Sequence, residues 1–151
     1  MQINLSRSWH LDYYRKGVKR KYILKMMEEK LFTLEETNTL IPKLKEMLQE
    51  LSYRKRVLSL ALNKLMKIKE KARHNGHNPM REELLEKISA FNMYLQEIYK
   101  LGCILRDIDL GLVDFPAIIN DKKALLCWQM DEDRVTLWHE INEPCVNRKP
   151  L

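Results

Sequence analysis

A long leucine seam constrains this chain more than any other feature. Leu44, Leu48, Leu51, Leu58, Leu62 and Leu65 recur at heptad spacing, interrupted once at Lys55. Only an amphipathic helix gathers such a row on one face. Residues 43–73 would make a rod of about 45 Å at about 1.5 Å per residue. Lys67, Lys69, Lys71 and Arg73 crowd its end, where cations suit the negative pole of the helix dipole. Ahead of it, Thr33 and Glu36 fit a capping box, and Pro42 is expected to kink or restart the helix after Ile41. A seam of this length needs a partner. Residues 80–101 supply one, with Leu84, Ile88, Phe91, Leu95 and Ile98 on the same pattern and Gly102 as a stop. His74-Asn75-Gly76-His77-Asn78-Pro79 between them reads as a solvated turn. The expected unit is a long antiparallel helical hairpin. Its first arm is the longer, and Leu60, Met66 and Ile68 lie off its main seam. One short helix cannot cover that width, so a second subunit or the C-terminal region is expected to.

Beyond Gly102 the period shortens. Cys103–Ile108, 117–119, Ala124–Met130 and Val135–Glu140 read as strands separated by turns at Asp109-Leu110-Gly111, Asn120–Lys123 and Glu132-Asp133. A two-residue turn at Glu132-Asp133 would pair Met130 with Val135, Trp128 with Leu137 and Leu126 with His139. That register puts those six residues on the apolar face, with Cys127 and Trp138 on the other. The fold class is α+β: a long antiparallel helical hairpin with a small C-terminal antiparallel sheet of three or four strands.

Charge is distributed unevenly. Of the net +6 over 151 residues, the first 25 account for all, with seven cations and one acid. Residues 1–30 therefore read as a basic arm. Residues 31–151 read as a single domain, the hairpin over 31–101 and a β meander over 102–151. The arm's Arg15, Lys16, Lys19, Arg20 and Lys21 are the nucleic-acid candidates. Residues 1–25 are expected to be dispensable for folding, since the capping, seam and strand signals begin near Phe32. No run approaches 18 uncharged apolar residues, so no membrane span is expected, and the arm lacks the apolar core of a secretory signal. Cys103, Cys127 and Cys145 are too few and scattered for a disulfide framework, which points to reduced thiols in a cytoplasmic protein.

The densest polar cluster is Arg106, Asp107, Asp109 and Asp114 beside His139-Glu140, with Arg148 behind. Acids and a histidine on neighbouring strands suit a divalent metal, a ligand, or a proton donor and acceptor pair. Each also has a plain structural use as a turn cap, an ion pair or a core histidine. A zinc site from Cys103, Cys127, Cys145 and His139 has the right ligand types. It lacks Cys-x-x-Cys spacing, and the expected register separates Cys127 from His139, so no metal and no cofactor are expected. No phosphate loop, dinucleotide fingerprint, nucleophile elbow or His-Glu-x-x-His is present. Trp128 and Trp138, expected one on each face, read as packing residues.

Three stretches carry a resemblance. They are Phe32-Thr33-Leu34-Glu35-Glu36-Thr37-Asn38 with Leu40-Ile41-Pro42; Arg106-Asp107-Ile108-Asp109-Leu110-Gly111-Leu112-Val113-Asp114-Phe115-Pro116-Ala117; and Leu126-Cys127-Trp128 with Leu137-Trp138-His139-Glu140. Together they resemble the uncharacterised prokaryotic domain of unknown function 2203 family over about residues 31–151. The resemblance implies a small cytoplasmic prokaryotic protein and brings no established activity. Where members often read Gly-Phe-x-Gly-Arg, this chain has Pro144-Cys145-Val146-Asn147-Arg148.

The expected function is non-enzymatic: an interaction or scaffold protein acting through its helical hairpin, as a homodimer or by docking a protein partner. The alternatives are a small enzyme or a metal- or ligand-binding protein using the Asp/His cluster, and an RNA- or ribosome-associated protein using the basic arm.

Overall fold

A computed structural model describes residues 20–69 and 79–151. They form three helices and one five-stranded antiparallel sheet, an α+β fold. Helix α1 spans Arg20–Glu29, α2 Leu34–Lys69 and α3 Pro79–Lys100. Strands β1 Ile104–Asp107, β2 Leu112–Ile119, β3 Lys122–Gln129, β4 Leu137–Glu140 and β5 Lys149–Pro150 pair in chain order, each with the next. No helix among the described residues is long and apolar enough to cross a membrane.

Thr33 and Glu36 start α2 as a reciprocal cap. Glu36 N donates to Thr33 Oγ1 (3.1 Å) and Thr33 N donates to Glu36 Oε2 (2.8 Å). The helix then continues for 36 residues, about 54 Å at about 1.5 Å per residue. Pro42 lies inside it, and the helix runs through without the restart that was one expectation. It sits one residue from Ile41 and two from Leu44, both buried, so packing holds the helix where the missing N–H would weaken it. The leucine seam is buried: Leu44, Leu48 and Leu51 pack with Leu95 and Ile98 of α3, and Leu58 and Leu65 pack with Leu84. Lys55, the interruption, reaches out to Asp109 at 2.5 Å.

The sheet is covered on both faces. Leu105, Val113, Phe115, Ala117, Leu126 and Trp128 join the α2–α3 core. Ile104 and Leu125 face the other way and pack on Ile23, Met26 and Met27 of α1. The sequence reading ended the arm at residue 30, yet Arg20–Glu29 is a helix that buries three apolar side chains against the sheet. Phe32 fixes the link between the two helices. Its N–H donates to Pro116 O at 2.7 Å and its ring meets Phe115 edge-on at 5.3 Å.

Strand β2 starts earlier than the sequence suggested, because Pro116 disguised it. The pairing of β1 ends at Ile104 opposite Asp114, so no neighbour needs the N–H that Pro116 lacks. Asn120 and Asp121 turn β2 into β3 with φ of 51° and 59°, the double left-handed pair of a tight hairpin.

The next hairpin differs from expectation by one residue. Leu125 pairs with His139, Leu126 with Trp138 and Cys127 with Leu137. There is no two-residue turn at Glu132-Asp133. Instead the connection makes its own hydrogen bonds: Gln129 N donates to Glu132 Oε2, Trp128 Nε1 to Glu132 O, and Val135 N to Asn38 Oδ1. A one-residue slip exchanges the faces of β4 relative to β3. Trp138 therefore joins Trp128 on the helix-facing side, and His139 leaves the expected apolar face for the side of Cys127.

Candidate metal centre

The face opposite the two long helices carries the site. Asp114 of β2 pairs with Cys127 of β3, and His139 of β4 lies opposite Leu125, two residues along from Cys127. Alternation puts all three side chains on one face. After β4 the chain turns back through a three-residue 3₁₀ turn, Cys145–Asn147, closed by Asn147 N donating to Pro144 O at 2.9 Å. That turn brings Cys145 over the strands. One donor atom from each of Asp114, Cys127, His139 and Cys145 lies within 4.8 Å of all the others.

The individual distances are more telling. His139 Nε2 is 3.2 Å from Asp114 Oδ2 and 3.6 Å from Cys145 Sγ. Cys145 Sγ is 3.7 Å from Asp114 Oδ1. Ligand bonds of about 2.0–2.3 Å in a tetrahedron imply edges of about 3.3–3.8 Å. The three edges among Asp114, His139 and Cys145 are already close to that range, and Cys127 Sγ lies within 4.8 Å of each. Asp114, Cys127 and His139 are buried and Cys145 is half-buried.

The imidazole's orientation decides what the cluster can do. Nδ1 lies 2.9 Å from the carbonyl oxygen of Glu140, which can only accept, so Nδ1 donates. In the neutral ring Nε2 is then a bare lone pair aimed at a carboxylate. Two acceptors at 3.2 Å repel unless a cation lies between them, either a proton or a metal ion. Without a metal the proton takes that place. Burial pulls the His139 pKa down, but hydrogen bonds to Asp114 and Cys145 prevail and hold it at about 10. Burial likewise opposes ionisation of Asp114, yet His139 and Arg106 keep its carboxyl below the usual range. The hydrogen bond between the two thiols lowers Cys145 and raises Cys127. A nucleophile–base–acid relay is a poor fit, because it places nucleophile and acid on opposite imidazole nitrogens. Here both face Nε2.

Outer groups hold the ligands. Arg106 Nε donates to Asp114 Oδ2 at 2.5 Å. Arg148 Nη1 donates to Glu132 at 3.1 Å, and the charge of its guanidinium is further favoured by Cys127. Asp114 with two thiolates around a divalent ion leaves one net negative charge. Two guanidiniums face it.

Of the residues singled out from the sequence, Arg106, Asp114, His139 and Arg148 meet here. Glu140 contributes its carbonyl, while its carboxylate turns to Lys149 at 3.6 Å. Asp107 accepts the Leu110 N–H at 2.9 Å and so shapes the turn, and Asp109 pairs with Lys55 away from the cluster. Cys103 is also elsewhere. Its thiol donates to Ile98 O at 3.6 Å, and burial pushes its pKa up to about 12. Cys127 and Cys145, set aside in the sequence reading, are the candidate ligands the structure adds to the cluster. Arg15, Lys16 and Lys19, and with them His74 and His77, lie outside the described residues. Arg20 borders a groove of about 360 Å³ with Lys122 and Lys123, and Lys21 is exposed on α1.

A family model, described as an uncharacterized conserved protein (DUF2203), matches residues 30–151. The chain belongs to the DUF2203 family. That match takes in every strand and all four cluster residues, and it leaves the whole of α1 outside. No curated protein and no solved structure matches the chain.

Proposed function

We propose that this DUF2203 protein binds one transition-metal ion of the zinc class through Asp114, Cys127, His139 and Cys145. The observation that carries this is the gathering of four donor atoms within 4.8 Å of one another beside His139 Nε2, with Nδ1 already committed to a backbone carbonyl. Two thiolates, an imidazole and a carboxylate form a set of borderline softness that suits zinc over magnesium or calcium. Four protein ligands leave no open position, which favours a structural role over hydrolytic chemistry. The ion would join β2, β3 and β4 to the C-terminal turn. Cobalt substitution tests this. Full-length protein titrated with Co²⁺ is expected to show tetrahedral thiolate–cobalt absorption that saturates at one ion per chain. Cys145→Ser and Asp114→Asn should abolish or strongly weaken it, and Asp109→Asn should leave it unchanged. Protein that takes up no stoichiometric Co²⁺ or Zn²⁺ under reducing conditions overturns the reading.

A second reading is the interaction protein, in which α2 and α3 form an antiparallel, coiled-coil-like hairpin that pairs with a second copy. What supports it is the set of large apolar side chains left exposed on these helices, Leu60, Met66, Leu85 and Met93 among them. The two readings are compatible, since the metal cluster lies on the far side of the sheet. Cytoplasmic residence fits both, because free thiols and a thiolate-bound ion need reducing surroundings.

A further inference from the structure

Two of the four proposed ligands are cysteines in contact with one another. Their sulfurs lie within 4.8 Å, and a disulfide needs about 2.05 Å, so a shift of under 3 Å joins them. Their settings are unequal. Cys127 is buried in the middle of β3, whereas Cys145 is half-buried on a single 3₁₀ turn that buries none of its residues. The neighbouring Val146 is 88% exposed. A small oxidant therefore reaches Cys145 first, and the mobile partner in any closure is a short surface turn and not a strand. Cys103 has neither property. It is fully buried, bonded to a helix carbonyl and outside the cluster.

We propose that Cys127 and Cys145 form a reversible redox pair, whose oxidation by a peroxide to a disulfide withdraws two ligands and releases the metal. The release rests on the metal reading above, while the disulfide itself does not. In the first step Cys145 Sγ attacks one peroxide oxygen and the O–O bond breaks. The departing hydroxide takes a proton to become water, leaving a sulfenic acid on Cys145. Cys127 Sγ then displaces the sulfenic hydroxyl, which leaves as hydroxide and is likewise protonated to water. Two electrons pass from the sulfur pair to the peroxide, and the zinc-class ion keeps its oxidation state. Asp114 and His139 alone are too few to retain it.

The test uses full-length protein loaded with Zn²⁺, treated with hydrogen peroxide beside a chromophoric zinc chelator, and a metal-free sample treated in parallel. The expected result is a loss of about 2 Da per chain, a Cys127–Cys145 cross-linked peptide, and a fall from three free thiols to one. Zinc should appear in the chelator in proportion to the cross-link, and dithiothreitol should reverse both. Accumulation of a sulfinic acid at Cys145, about 32 Da heavier, with no cross-link overturns the redox pair. A cross-linked chain that still holds its zinc overturns the release. Failure to load zinc at all overturns the metal reading and the release with it. The metal-free sample then still decides the disulfide.

Discussion

At the scale of single residues, His139 makes the sharpest demand. Its raised pKa in the metal-free protein has a definite sign in stability. The folded value of about 10 lies above an unfolded value of about 6.5, so the stabilisation is complete below pH about 6.5 and disappears as pH rises toward 10. Chelator-stripped protein is therefore expected to lose melting temperature across that window by calorimetry. Metal-loaded protein should not, because the ion replaces the proton. NMR titration of the stripped protein should show Asp114→Asn moving the imidazole pKa down and Asp109→Asn leaving it alone. Gly111 makes a different demand. Its φ is +60°, and a Cβ there would lie 2.5 Å from Met130 Cβ. Gly111→Ala should cost about 1–2 kcal/mol for the left-handed backbone, plus the clash, read from urea unfolding.

At the scale of elements, the two long helices and most strands were legible because their signals are local. The Thr33–Glu36 cap, the leucine period and the strand alternation each need only a few neighbouring residues. The β3–β4 register was not, because one long-range bond and an irregular local loop decide it. Asn38 on α2 takes the Val135 N–H, and Glu132 takes both the Gln129 N–H and, through its carbonyl, the Trp128 indole. The pattern of residue types does not show those bonds, and the tight turn assumed in their place hid the candidate metal cluster. Helix α1 was missed for a related reason. Its Ile23, Met26 and Met27 have partners some 80–100 residues away, and its cations suggested a free arm. Ile23→Ala should cost about 2–5 kcal/mol, as for a buried isoleucine truncated to alanine. A chain starting at Met26 should melt well below the full-length protein, contrary to the expectation that residues 1–25 are dispensable.

At the scale of the whole molecule, the sheet divides the two proposed activities. The long helices occupy one side with apolar side chains to spare, and light scattering at high micromolar concentration is expected to show a dimer. Glutamates at Leu60 and Met93, both well exposed, should return it to a monomer with little loss of stability. The other side is covered by α1 and by the Cys145 turn. Ribosomal synthesis gives that closure an unavoidable delay. Helix α1 is made first, yet Leu125 is made 102 residues after Ile23. At roughly 5–20 residues per second the wait is about 5–20 s. For that interval the nascent protein carries a basic, methionine-rich helix whose apolar stripe has nothing to lie on. Whatever shelters the emerging chain meets that stripe before the sheet does.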